Sequence, residues 1–468
     1  MVFASLEFLL LFFPLFLIAY AVSPSKARNT VLLGASWVFY GWWSPIFLLM
    51  FIGLTWLTWI GGVALDAPAT PLRRKRILLA FMITVLAGTL CWFKYANILA
   101  ETLNGVLGRV GAEPLPWERV VLPIGLSFIV LQAISYLVDV WRGTVKAQRS
   151  FIDFAAYKAM FGQLIAGPII RYEWVQHEIT QRRFDWVGFS KGSRRFMVGM
   201  SMKVLVADSL APVADAVFAQ SSPSLVDAWI GCGAYTLQLF FDFAGYSAMA
   251  IGIGQMLGFH FPENFNHPYL ARSIQDFWRR WHLSLSSWIR DYLYIPMGGN
   301  RGGTFATYRN LLLTMAIAGL WHGSDSWNFL LWGLAHGMAL CLARAWPQRL
   351  PVPPGLSRLL TLLFVMLAWT LFRAPDMQAA LRMYAGQFGL HGLAMGDTLH
   401  ALLRPGHAVA AVVGVVCVIL PAFRPHWETR HAGTRLAAVI ALWPIPAFLL
   451  SFALIASRGA VPFLYFQF

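Results

Sequence analysis

The chain has 468 residues, of which 58% are hydrophobic and only 12% are charged, with a formal net charge of +15. Soluble domains average about 25% charged residues, and several apolar runs approach the roughly 20 residues that cross a bilayer, so a soluble protein is excluded. Lys and Arg gather on the cytoplasmic side of membrane proteins, which explains the positive charge without a nucleic-acid partner. We predict an all-α polytopic membrane protein with about 10–13 membrane-embedded helices, some of them re-entrant, that form a central cavity.

The first apolar run covers residues 8–22, and the first basic residues, Lys26 and Arg28, follow it. A secretory signal peptide carries its positive charge ahead of its apolar region, so we expect this run to be retained. The positive-inside rule then predicts a periplasmic N-terminus and a cytoplasmic Lys26. Two further apolar stretches, broken at residues 43–45, form a predicted hairpin that returns to the basic cluster at 73–76.

The next two predicted crossings lie at residues 77–99 and 120–140. The run at 151–170 has basic residues at both of its ends, so it should not simply cross the bilayer. We predict a re-entrant or half-buried segment, which is tolerated where protein or a water-filled cavity covers it. Two longer helices follow in the prediction, at 196–219 and 227–259.

A polar stretch at residues 260–309 contains a predicted amphipathic helix that starts at a capping box formed by Ser273 and Asp276. Apolar side chains recur along it at helical spacing; they are Trp278, Trp281, Leu285, Trp288, Ile289 and Tyr292. His282 lies within this stripe and should point inward. Membrane attachment alone explains an amphipathic helix with Trp and Arg, but it does not explain the histidine.

His322 ends the apolar run at residues 310–321. Twelve helical residues span about 18 Å, whereas the hydrocarbon core is about 30 Å thick, so we predict a turn inside the membrane at 322–325. Asp325 is predicted to cap the next helix at Trp327. An ionisable residue at this depth is a functional candidate; the alternative is a structural histidine that bonds a neighbouring carbonyl at the helix end.

Two carboxylates, Asp139 and Asp242, also stand in apolar runs. Each is costly in a membrane unless it is paired, so each is a candidate ion-pair partner of an Arg or Lys. Together with His322 they would also suit a transporter pathway, although transporters often carry repeated halves and this sequence shows no repeat. The glycine-rich loop at 298–303 is a weak candidate for a phosphate cradle, and the four dispersed cysteines indicate no metal site.

Five stretches resemble the membrane-bound O-acyltransferases, and within them the bacterial alginate O-acetyltransferases. The stretches are LPIGLSFIVLQAISYLVDVWRG at 122–143, FGQLIAGPIIRY at 161–172, the long segment at 237–303, GLWHGSDSWNFLLWGLAHG at 319–337 and PFLYFQF at 462–468. The resemblance implies one transmembrane domain over 1–468, with N-terminal helices at 1–119, core motifs at 120–345 and C-terminal helices at 346–468. In one departure, Ala248 stands where the family pattern usually has Asp.

The resemblance implies acetyl transfer from a cytoplasmic donor to an exported polysaccharide, with alginate expected. The donor would be acetyl-CoA or another acetyl thioester, with no tightly bound cofactor and no metal. In this reading His322 is the general base and His282 positions the donor or stabilises charge, while Arg280 and Arg301 are weaker candidates for donor binding. A covalent acetyl-histidine relay is the alternative mechanism.

The resemblance also implies a bacterial inner-membrane location, contact with membrane lipid, and periplasmic acetyltransferase partners that act on the polysaccharide. Three other acceptors fit the same family: cellulose, peptidoglycan and teichoic acid. A membrane transporter remains a second class of function.

Overall fold

The computed structural model describes residues 1–164, 167–182, 184–323, 325–347, 352–423 and 442–464. Within these ranges every regular element is a helix and no β-strand occurs. The predicted all-α class is therefore confirmed. The chain forms two compact units. The first comprises Met1–Phe196, Met249–Pro262 and Arg458–Pro462, and the second Met197–Ala248, Glu263–Ser457 and Phe463–Phe468.

The N-terminal part of the chain supplies eight helices to the first unit. They are α1 (Glu7–Val22), α2 (Arg28–Gly41), α3 (Pro45–Asp66), α4 (Leu72–Arg109), α5 (Leu126–Arg142), α6 (Phe151–Ala159), α7 (Phe161–Leu164) and α8 (Tyr172–Gln181). The predicted hairpin break is confirmed, because α2 ends at Gly41 and α3 begins at Pro45. The Ser44 hydroxyl caps α3 by accepting the Phe47 N–H at 3.5 Å.

As predicted, the run at 151–170 does not cross the bilayer as one helix. Its two helices, α6 and α7, have only nine and four residues. A helix of nine residues reaches about 14 Å, which is less than half of the hydrocarbon thickness.

Eleven further α-helices follow in the part of the chain that the structure describes. They are α9 (Trp186–Phe218), α10 (Leu225–Leu257), α11 (Ile274–Trp278), α12 (Leu283–Ile289), α13 (Gly303–His322), α14 (Asn328–Ala345), α15 (Pro354–Arg373), α16 (Met377–Gln387), α17 (Asp397–Leu402), α18 (Pro405–Ile419) and α19 (Pro444–Arg458). Among the described residues, six helices are long and apolar enough to cross a membrane: α3, α4, α9, α10, α15 and the α18 segment Pro405–Ala422. The protein is therefore a multi-pass membrane protein.

The pair α13 and α14 carries the predicted central histidine and packs through glycines. A Cβ atom on Gly319 would meet the Phe329 carbonyl oxygen and the Gly333 backbone, and one on Gly333 would meet the Met315 carbonyl oxygen. Small residues let two membrane helices approach closely. The two helices run antiparallel, since Gly319 faces Gly333 while Gly337 faces Leu312.

The length predicted for the run before His322 was wrong. α13 has 20 residues rather than twelve, because it begins at Gly303 and includes the polar residues up to Arg309. Twenty residues span about 30 Å. The break after His322 is therefore a real helix end, but the shortness of the run is not its cause.

Replacing Gly319 with valine is expected to destabilise the protein by about 1–3 kcal/mol, the usual range for overpacking a close contact. The added side chain would push α13 away from the backbone of α14. The measurement is the midpoint temperature of heat-induced aggregation in detergent, followed by size-exclusion chromatography. Gly53→Val is the matched control, since a Cβ atom on Gly53 meets nothing within 4 Å. Equal midpoints for the two variants would contradict close packing at Gly319.

Candidate active site

His322 is the last residue of α13 and lies in an aromatic pocket of the second unit. Its side chain is buried, and its ring centroid lies 4.9 Å from Trp321, 5.2 Å from Trp332 and 5.3 Å from Phe372. The helix ends there because Gly323 continues in an extended conformation. A Cβ atom on Gly323 would overlap the Phe329 ring, so the close approach of that ring requires glycine.

The predicted cap, Asp325, does not occupy the N-cap position of α14, which is Trp327. Asp325 is exposed, and α14 begins at Asn328 with no side-chain cap from Trp327. Instead, the Ser326 hydroxyl accepts the Asn328 N–H at 3.2 Å. Serine one residue further along therefore satisfies one of the open N–H groups at this helix start. Ser324 of the predicted turn lies outside the described residues.

A small cavity opens beside His322. Its volume is about 20 Å³. Its lining residues are Leu239, Asp242, Phe243, Trp281, His322, Trp332, Trp369, Phe372, Phe463 and Leu464. A space of this size holds about one water molecule. The structure therefore brings two of the predicted residues, His322 and Asp242, to one cavity with otherwise apolar walls.

Asp242 is held by a buried ion pair. Lys203 Nζ lies 2.8 Å from Asp242 Oδ1 and 2.8 Å from Asp208 Oδ1, and the Leu464 N–H donates to Asp242 Oδ2 at 2.7 Å. The predicted pairing of Asp242 with a basic residue is thus confirmed. The sequence analysis missed Lys203 as that partner, although a single lysine inside the apolar run of α9 was a usable signal.

His282 is not part of one long amphipathic helix, so that prediction was wrong. The segment divides into α11 and α12, and His282 stands between them with φ of 44°. The helix stops because its backbone pairs with a neighbouring loop: the Leu283 N–H donates to the Asn264 carbonyl oxygen, and the Asn266 N–H donates to the Arg280 carbonyl oxygen, both at 2.9 Å. Ser273 does cap α11, as predicted, by accepting the Asp276 N–H at 3.1 Å.

The imidazole of His282 is fully buried, as the inward orientation predicted. Its Nδ1 lies 3.1 Å from Asn264 Oδ1, which also accepts the Ser284 N–H at 3.2 Å. Burial lowers the pKa of His282 to about 3, so the ring is neutral at physiological pH. Since an amide oxygen only accepts, the network assigns the proton to Nδ1 and leaves Nε2, which has no hydrogen-bond partner among the described residues, as an acceptor.

Trp321 neighbours both histidines. Its ring centroid lies 6.4 Å from that of His282 and 4.9 Å from that of His322. His282 also contacts Phe243 edge to face at 4.6 Å, and Phe243 lines the cavity beside His322. The two histidines predicted to act together therefore lie in one aromatic cluster, with His322 at the cavity and His282 behind it.

The remaining predicted residues lie elsewhere. Arg280 Nε is 2.8 Å from Asp276 Oδ1 on a half-exposed surface, and Arg301 is exposed in the glycine-rich loop. Asn310 holds that loop by donating to the Gly299 carbonyl oxygen at 3.0 Å. Asp139 is buried in α5 of the first unit.

A third buried histidine, His336, was missed. It is fully buried in α14, and neither ring nitrogen has a hydrogen-bond partner among the described residues. Its ring lies 4.7 Å from Trp332, which in turn contacts His322. Its place in an apolar run was the same signal that singled out His322.

Exchanging His282 for asparagine separates a chemical role from a backbone role. Asparagine tolerates the left-handed conformation better than most residues but lacks an imidazole. If the ring nitrogens matter, both His282→Asn and His282→Ala should lower acyl transfer about 10- to 100-fold at equal protein abundance. Retention of transfer by His282→Asn alone would show that the backbone conformation is what the position supplies.

Comparison of the sequence with known proteins identifies the family of this chain. The sequence profile of MBOAT, the membrane-bound O-acyltransferase family, matches residues 10–375. The probable alginate O-acetylase AlgI of Azotobacter vinelandii is 42% identical over 100% of both chains, and the peptidoglycan O-acetyltransferase of Helicobacter pylori is 34% identical over 83% of this chain and 80% of its own. The teichoic acid D-alanyltransferase of Streptococcus thermophilus is 26% identical over 55% of this chain and 65% of its own. The chain therefore belongs to the membrane-bound O-acyltransferase family and is an O-acyltransferase.

Proposed function

We propose that this protein transfers acetyl groups from a cytoplasmic thioester across the inner membrane for O-acetylation of an exported polysaccharide, and that the acceptor is alginate. The observation that carries the proposal is His322, a buried imidazole at a helix end that faces a cavity shared with Asp242. The full-length similarity to probable alginate O-acetylases supports the choice of acceptor.

In the proposed reaction His322 is the general base. A neutral imidazole takes the proton from the attacking hydroxyl as its oxygen bonds to the thioester carbonyl carbon. The tetrahedral intermediate then collapses, the carbon–sulfur bond breaks, and the imidazolium returns the proton to the leaving thiolate. The products are an O-acetyl ester and a free thiol, with no net proton consumed. Positioned base catalysis typically contributes about 10²–10⁴-fold.

The surroundings of the two histidines support this assignment of roles. The carboxyl end of α13 carries a partial negative charge that favours the imidazolium formed during the reaction. The Asp242 carboxylate across the cavity acts in the same direction, although Lys203, which also pairs with Asp208, offsets part of its charge. His282, with its Nδ1 held by Asn264, is assigned to positioning the donor or stabilising charge through Nε2.

The donor side of the proposal rests on the basic residues near α11 and the glycine-rich loop. Arg280 and Arg301 are assigned to an anionic donor such as acetyl-CoA at the cytoplasmic mouth. We place the N-terminus in the periplasm, with acetyl ester formed on that side and passed to periplasmic acetyltransferase partners or directly to the polysaccharide. The positive-inside rule supports this orientation.

The second candidate acceptor is peptidoglycan. It is favoured by the 34% identity to a peptidoglycan O-acetyltransferase over 83% of this chain. Both acceptors present sugar hydroxyls, so the base chemistry at His322 is the same for each. The two candidates differ only in the groups that receive the acetyl ester.

The test expresses the protein in a bacterium that exports alginate but lacks its own alginate O-acetylase, with the periplasmic acetyltransferases left in place. We expect ester-linked acetate on secreted alginate and none added to isolated peptidoglycan, measured by base-released acetate and mass spectrometry. Ester on peptidoglycan alone would overturn the acceptor assignment.

A second experiment tests the side of the membrane on which the donor binds. Sealed vesicles of both orientations are given labelled acetyl-CoA on the outside. Incorporation of label into external alginate oligosaccharides by right-side-out vesicles would contradict a cytoplasmic donor.

A further inference from the structure

The second unit contains a larger cavity away from His322. Its volume is about 550 Å³, and it lies among α9, α10, α15 and α18, with walls that are almost wholly apolar. Its lining includes Ile230, Gly233, Leu237, Leu362, Met366, Ala411 and Val415. This volume falls in the range of about 300–1,000 Å³ that is typical of small-molecule sites. All four helices contribute candidate membrane spans, so hydrocarbon is the natural medium beside the cavity.

One end of this cavity is basic. Arg404 and His407 line it at the start of α18, where the Arg404 N–H donates to His407 Nδ1 at 3.3 Å. Arg404 immediately precedes the candidate span Pro405–Ala422, the position at which lipid headgroups meet a membrane helix. Its guanidinium matches phosphate geometry, and the N–H groups at the amino end of a 15-residue helix also favour an anion.

We propose that this cavity binds one acyl chain of an anionic phospholipid, with the headgroup phosphate at Arg404. A purely apolar site would take any chain, but the Arg404 guanidinium at its end selects a negative headgroup over a zwitterionic one. This site is separate from the proposed acetyl-transfer site, because among the described residues its lining shares none with the cavity at His322. Its test therefore reads lipid binding and does not depend on acetyl transfer.

Gly233 provides a direct way to fill the cavity. It lines the wall, and a Cβ atom there would meet nothing within 4 Å. Gly233→Leu should therefore place its side chain in the space that the acyl chain needs without forcing the backbone to move. Leucine also has a higher helix propensity than glycine. Gly53→Leu in α3 is the matched control, since it adds the same side chain to an equally open helical glycine outside this cavity.

The experiment is native mass spectrometry of the purified full-length protein in detergent. The added lipids are 1-palmitoyl-2-oleoyl phosphatidylglycerol, the matching phosphatidylcholine, and oleate. The wild-type protein and Gly53→Leu should retain one phosphatidylglycerol after delipidation, and Gly233→Leu should lose it. Arg404→Gln should lower the preference for phosphatidylglycerol over phosphatidylcholine about tenfold.

Two results would overturn the proposal. Equal phosphatidylglycerol retention by Gly233→Leu and the wild-type protein would show that the lipid binds elsewhere on the protein surface. Binding of oleate or phosphatidylcholine as tight as that of phosphatidylglycerol, unchanged by Arg404→Gln, would show a chain site without headgroup recognition. Size-exclusion chromatography of each variant separates these results from loss of folding.

Discussion

The His322→Ala variant is expected to lose acetyl transfer by about 10²–10⁴-fold while its abundance in the membrane stays near that of the wild-type protein. The expected factor is the typical contribution of a positioned general base. Folding should survive, because the imidazole fills only part of an aromatic pocket whose rings, Trp332 and Phe372, also pack on each other at 5.1 Å. The measurement is ester-linked acetate on the exported polymer, divided by protein quantified on an immunoblot.

Two companion variants make this result specific. His400→Ala removes an exposed histidine of α17 and should leave transfer unchanged. His322→Gln keeps a polar side chain of similar reach but supplies no base near neutral pH, so it should fall as far as His322→Ala. Transfer by either His322 variant within about threefold of the wild-type level, well inside the factor expected for a general base, would assign His322 to structure alone.

The Lys203→Met variant is expected to destabilise the protein by about 3–5 kcal/mol, which is the usual cost of leaving one partner of a buried ion pair uncompensated. Lys203 and Asp242 side chains are each only 3% exposed. Removing the ammonium leaves the Asp242 carboxylate with the Leu464 N–H as its remaining donor in the described structure. The measurement is the midpoint temperature of unfolding in detergent.

The control for this prediction is an exposed pair. Arg149 Nη2 lies 2.7 Å from Asp66 Oδ2, but the Arg149 side chain is 61% exposed, so Arg149→Met should cost about 0–1 kcal/mol. The double variant Lys203→Met/Asp242→Asn should recover more than about 1 kcal/mol of the Lys203→Met loss, because Asp242, the more deeply buried of the two carboxylates that Lys203 contacts, is then neutral. A double variant less stable than Lys203→Met alone would contradict a compensated ion pair.

The sequence was informative where a side chain type conflicted with its surroundings. His322, His282 and Asp242 each stood out because a polar group is costly among apolar residues, and the structure buries all three in the second unit. The helix end at His322 was also predictable, since Gly323 and Ser324 favour a turn. These predictions depend only on residue types and their immediate neighbours, which can be read from the sequence.

The sequence could not show contacts between distant segments. The interruption at His282 depends on backbone hydrogen bonds from a loop at residues 264–266, and no local pattern near 282 indicates them. The length of α13 was underestimated for a related reason: its polar first turns, from Gly303, resemble a loop when hydropathy alone is considered. Tertiary context overrides local propensity at both places.

The pairing of Leu464 with Asp242 joins residues 222 positions apart in the chain. Phe463 and Leu464 also form part of the wall beside His322. During translation, the cavity therefore stays incomplete until residue 464 has been synthesised and has left the ribosome. A nascent chain that already contains both histidines still lacks this wall, so the site is completed only at the end of synthesis.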